Sequence, residues 1–216
     1  MRTLTVPIAL LLALAPLPAA ADSPLTSTDF HRDYAGVQEV DHARAHGLDS
    51  RTIALLRDPS VPSDVRAAMV NALGWSVDGQ QNARAFASAL AAAHGVAPGQ
   101  LRAEHLSPEE LLALGYMAAL DDYFGLSPVG GATGLSTSRP IELLERAARA
   151  APNDFPIAIV LALVRAQAHL DDPANGSCKA WSAVRGAFAR FPQPSMRPDA
   201  VRRIAEYMDL YGGSCR

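Results

Sequence analysis

Cys178 and Cys215 are the only cysteines of the chain. Neither belongs to a Cys-x-x-Cys, so thiol redox chemistry and zinc ligation are disfavoured, and a structural crosslink is the chemistry left to them. Cys178 opens one apolar-periodic segment, about 178–191, and Cys215 follows the next, about 198–211. Folded back as an antiparallel helical hairpin, the two segments bring the thiols together at its open end. Loop closure over that span contributes about 4 kcal/mol at most.

Other reactive residue types fall into weaker patterns. His42 and His46 stand one helical turn apart beside Asp41, a spacing able to share a metal, but the glutamate of His-Glu-x-x-His is missing, and surface histidines are the better reading. Gly130 to Thr137 is glycine-rich but has no lysine, no preceding strand and the wrong glycine spacing for a phosphate cradle. Asp121–Asp122 sit at a helix C-terminus, where the macrodipole disfavours anions; the pair reads as a solvated face, with a cation or a basic partner group as the alternative. No Gly-x-Ser-x-Gly links the serines to the histidines. These patterns give no catalytic residue, no metal ligand set and no cofactor. The remaining candidate is the segment Trp75 to Asn82, in which Trp75, Asp78, Gln80, Gln81 and Asn82 combine an aromatic ring, an Asp-Gly turn and a run of amides between two helices. Such a loop reads peptide or glycan by stacking and hydrogen bonds; its other use is a plain helix connection with Trp75 packed inward.

The N-terminus sets the chemical environment of these residues. Arg2, an apolar run from Ile8 to Leu14, the breaking Pro16 and Pro18, and Ala19–Ala20–Ala21 before Asp22 form the zones of a secretory signal peptide over residues 1–21. The apolar run is shorter than the roughly 20 residues of a spanning helix, and no cysteine follows the cleavage site to carry a lipid. The reading is a periplasmic or secreted protein with no integral membrane segment after cleavage, in a compartment that favours the disulfide. Loss of Arg2 moves the net charge from −3 to −4, a mild acidity that argues against nucleic acid as a partner. With 49% apolar residues the chain can bury a core, and its 6% aromatic content with abundant alanine favours packed helices.

Helical punctuation recurs along that chain. A helix capped by Thr28 is expected to run to about His46 and end at Gly47, with Phe30, Tyr34 and Val37 on one face. Asp49 caps a short helix that stops before Asp58–Pro59; others run from Ser63 to about Gly74 and from Asn82 to His94. Ser107–Pro108–Glu109–Glu110 is a capping box with proline at the first helical position. Residues 125–139 hold four glycines, a proline and five hydroxyl residues and are expected to form a flexible loop. Helices resume over 140–151, 156–169, 178–191 and 198–211. No segment alternates with a two-residue period, so the fold class is all-α, about nine helices in antiparallel pairs, arranged as a short α-solenoid or a compact bundle.

Two resemblances refine this. Leu55 to Gly74, with Asp58–Pro59, Val65–Arg66, Ala68 and Ala72–Leu73, resembles a HEAT repeat, within an N-terminal region 22–124. Ala180, Val184, Ala187 and Pro192, and again Leu144, Ala147 and Pro152, resemble the second helix of tetratricopeptide repeats, within a C-terminal region 140–216. Both resemblances imply a surface presented to another protein. The function expected is therefore non-catalytic binding of a protein or peptide partner in the bacterial envelope. The alternative is a periplasmic hydrolase acting on envelope material, with an active site assembled from scattered residues.

Overall fold

The chain is described by a computed structural model over residues 23–213 and 215. The signal peptide expected over residues 1–21 lies outside the described residues. Among the described residues there are nine α-helices and no strand: α1 Gln38–His46, α2 Ser50–Arg57, α3 Ser63–Leu73, α4 Asn82–Ala93, α5 Pro108–Asp121, α6 Pro140–Ala150, α7 Phe155–His169, α8 Gly176–Arg190 and α9 Pro198–Gly212.

Local chemistry sets most of these boundaries. The Asp49 carboxylate accepts from Thr52 N–H at 2.7 Å at the start of α2. Ser107 and Glu110 exchange hydrogen bonds with each other's backbone at the start of α5, as the capping-box spacing predicts. Asp154 accepts from Ile157 N–H to start α7. Proline occupies the first turn of α5, α6, α7 and α9, where its missing N–H costs nothing.

The helix expected from Thr28 to His46 is broken. Phe30–Tyr34 forms a separate 3-10 turn, and Gly36, at φ +85°, redirects the chain before α1 begins. Such a φ cannot continue a right-handed helix. Thr28 does not cap; its hydroxyl donates to Pro24 O at 2.6 Å. Phe30 and Tyr34 are nonetheless both buried, so the apolar period survives a break in the backbone.

Two helices form the centre. α5 is buried without interruption from Glu110 to Leu120, and α7 over most of its length, as expected for helices apolar all round. The other helices cover them. α5 lies close on α6 because residue 115 is glycine: a Cβ there would stand 2.8 Å from Leu144 Cγ. α6 packs along α7, with Glu145 at the middle of one bonded to Arg165 toward the end of the other. α7 and α8 run antiparallel, with Phe155 at the start of one against Phe188 and Phe191 at the end of the other. At the α2–α3 joint, the region of the HEAT resemblance, the fully buried Arg66 donates to Leu56 O and Asp58 O, spending its charge on the carbonyl end of α2.

The ends of the described chain meet. α9 packs on the Phe30–Tyr34 turn, and Arg203 clasps Asp33 with two bonds of 2.7 and 2.8 Å. Arg197 lies 5.0 Å over the Tyr34 ring and donates from its backbone to the Tyr34 hydroxyl. That hydroxyl donates in turn to Asp64 of α3. Ser23 donates to Gln167 of α7. This closure makes the molecule a compact bundle rather than an open solenoid. Cys178 and Cys215 are bonded, with their Cα atoms 5.2 Å apart, and clasp the α8–α9 hairpin at its open end. Residues 125–139 carry no helix, but Leu126, Val129 and Leu135 are buried and Val129 and Gly130 bond back to Ser138 and Ser136. Their composition is that of a flexible loop; their packing is that of a folded one.

Candidate functional site

In both histidine–carboxylate contacts among the described residues the carboxylate already holds a helix start. His42 Nε2 lies 3.0 Å from Asp49, the cap of α2, whose carboxyl is held down to about 2 chiefly by the Thr52 N–H. His46 stacks beside His42, with ring centroids 4.5 Å apart. His94 Nε2 lies 2.9 Å from Glu110, which also closes the capping box of α5 and pairs with Arg57. Among the described residues no group of three or more His, Cys, Asp or Glu is placed to hold a metal.

The residues around Trp75 are arranged differently. Trp75 is not packed inward: it is 40% exposed, with its ring edge-on to Tyr123 at 5.2 Å. Tyr123, just past the end of α5, is buried and in turn touches Phe124, with centroids 4.2 Å apart. Phe124 is 67% exposed and Val77 73%. Two of the four exposed large apolar residues among the described residues, Trp75 and Phe124, therefore meet over one buried ring, that of Tyr123. Burying such side chains is worth about 1.5–3 kcal/mol each, and here that gain is left unused.

Beside this aromatic ledge opens a polar cleft of about 150 Å³, bounded by Gln80, Gln81, Arg84, Asp121, Asp122 and the Ser127–Gly130 backbone. That is the scale of one side chain and lies below the roughly 300 Å³ at which ordinary small-molecule pockets begin. Asp121 explains its awkward place at the C-terminus of α5. It also lies at the N-terminus of α4, where it accepts from Ala83 N–H at 2.7 Å, so one helix dipole compensates the other. Burial raises its pKa against those backbone donors, and its Oδ1 has no hydrogen-bond partner. Asp122 is held below the ordinary aspartate range by the Ser127 hydroxyl and the Gly125 N–H, and so shapes the turn that presents Phe124. Within that turn, Leu126 adopts φ +45°, a left-handed conformation that side chains disfavour, and its buried side chain holds it there.

Of the five candidate loop residues, Trp75 forms the ledge, and Gln80 and Gln81 line the cleft. Asn82 braces Gln80 from the first turn of α4, donating to its Oε1 at 2.7 Å. Asp78 does not join them; it is exposed in the Ser76–Gly79 turn. Sequence reasoning missed Tyr123, Phe124 and Arg84, and dismissed Asp121 and Gly130. One signal was present: an aromatic pair at a polar helix end, immediately before a glycine-rich stretch. No protein-family model, curated protein or solved structure matches the chain.

Proposed function

We propose that the chain is a non-catalytic binding protein of the bacterial cell envelope, exported by a cleaved signal peptide, that holds a protein or peptide partner on the Trp75–Tyr123–Phe124 ledge. The observation that carries this reading is the pair of exposed aromatic rings, Trp75 and Phe124, set on the buried Tyr123 next to a cleft the size of one side chain. Aromatic anchors beside a pocket and polar groups are the composition of interface hot spots. The cleft takes one polar side chain of the partner, oriented by Gln80, Gln81 and the two carboxylates, while the ledge supplies the apolar contact.

The test compares capture from periplasmic extract by the wild-type mature chain and by a Trp75→Ala/Phe124→Ser variant. The reading expects a stoichiometric partner on the wild type, depleted about tenfold or more on the variant, at equal thermal stability. Equal recovery on both baits, or none on either, overturns it. N-terminal sequencing of the exported protein tests the address, with Asp22 expected as the first residue.

A further inference from the structure

A second groove runs between α6, α7 and α8, away from the aromatic ledge. Its floor is Ala148 of α6, Leu161 and Ala162 of α7, and Ala183 and Gly186 of α8; its narrow part measures about 240 Å³ and its open part about 590 Å³. Either part exceeds one side chain and admits a segment of polypeptide.

Gly186 is the anomaly. It sits in the interior of α8, where glycine is the weakest helix former after proline. The fold does not ask for it: its φ is not positive, and a Cβ there would meet nothing within 4 Å. Gly115, by contrast, is needed for packing against α6. What the missing side chain of Gly186 does is keep the groove open.

The rim has a definite charge. Arg149, Arg165 and Arg190 border the groove, and Glu145 is the one acid among the residues that line it. Glu145 lies 2.7 Å from Arg165 and 3.9 Å from Arg149, whereas Arg190 donates to the neutral Pro152 carbonyl. Two guanidiniums thus share one carboxylate and the third has no acid partner among the described residues, a local reversal of a chain whose net charge is −3. Guanidinium forks match the paired oxygens of carboxylates, as they do those of phosphates, and the apolar floor between them suits the carboxylate-bearing side chains of a polypeptide.

We propose that this groove binds an acidic polypeptide segment of a partner protein, laid helically across Gly186 with its carboxylates on Arg149, Arg165 and Arg190 and its apolar face on Leu161 and the alanines. This site is separate from the ledge and does not depend on it.

The probe is a fluorescein-labelled peptide of alanine, leucine and glutamate in amphipathic helical register, with a lysine-for-glutamate counterpart, both read by anisotropy. The glutamate peptide is expected to bind, to weaken as salt rises, and to lose about tenfold in affinity on Gly186→Leu, while the lysine peptide does not bind. Gly186→Leu improves helix propensity, so its melting temperature should not fall. Arg149→Glu, at a side chain 68% exposed, is a second variant expected to weaken binding several-fold without touching the core. Trp75→Ala/Phe124→Ser should leave this binding unchanged, which separates failure here from failure of the ledge. Absence of binding by the glutamate peptide, equal binding of both peptides, or undiminished binding to both Gly186→Leu and Arg149→Glu overturns the proposal.

Discussion

The seam that joins the Phe30–Tyr34 turn to α9 and the ledge that joins Trp75 to the end of α5 are built from the same residue types. Each has a tyrosine against another charged or aromatic group, two aspartates and at least one arginine. In the seam every one of these is engaged: Tyr34 is fully buried, its hydroxyl bonded on both sides, and Asp33 receives two bonds from Arg203. On the ledge the rings are partly in solvent, Asp121 Oδ1 has no partner, and Arg84 bonds only the Gln81 amide among the contacts of the described residues. Residue type therefore says little about purpose here. Saturation separates these two regions: the groups of the seam are used up by the fold, and those of the ledge are left with valence to spare.

Variants on each side sharpen the contrast. The largest effect is expected in the seam, where Tyr34→Ala removes a fully buried ring and should cost about 3–5 kcal/mol, read from urea unfolding; a loss below about 1 kcal/mol would sink the idea that the seam closes the fold. Removing the disulfide with Cys178→Ser/Cys215→Ser frees the helix that carries the other half of the seam. It should cost about 2–4 kcal/mol by loop closure, and the wild type should show no free thiol by mass spectrometry.

The two sets of carboxylates should answer pH in opposite senses. Arg203 lowers the Asp33 pKa below 3.8, so its stabilisation is present above that value and is lost as pH falls through the folded-state pKa. Burial raises the Asp121 pKa above 3.8, so its favourable, protonated contribution is present below 3.8 and is lost as pH rises through the folded-state pKa. Asp33→Asn should therefore lag the wild type at neutral pH and converge with it in acid, while Asp121→Asn should gain on the wild type as pH rises from about 4 toward 7. Urea midpoints that move in parallel for both variants would show the two carboxylates to be in equivalent environments. The smallest effect on stability is expected from Phe124→Ser, within about 0.5 kcal/mol of wild type. A larger loss would make Phe124 a packing residue and remove the ledge as a docking surface.

What the sequence disclosed follows the same division. The all-α class, the starts of α2, α5 and α7, and the Cys178–Cys215 clasp rest on residues close in the chain or on a single hairpin, and local rules reach them. The break at Gly36 was hidden because Phe30 and Tyr34 keep helical spacing across it. The ledge was half legible: Trp75, Gln80 and Gln81 drew notice, but Phe124 comes from the far end of α5, and only tertiary packing brings the two segments together. Asp121 reads as a solvated residue for the same reason, because the dipole of its own helix says nothing of the α4 terminus that faces it. Gly186 went unremarked, since a mid-helix glycine becomes odd only when the space around it is seen to be empty.

The clasp between Asp33 and Arg203 joins residues 170 positions apart. In time, this means that an early segment is among the last to be fully secured: α3 and Tyr116 of α5 meet the Phe30–Tyr34 turn first, and its remaining side stays open until α9 exists to receive it. A nascent chain stopped after α8 carries a half-covered Phe30–Tyr34 turn, an unpaired Asp33 and a lone thiol at Cys178, an open form with every reason to stick to its neighbours.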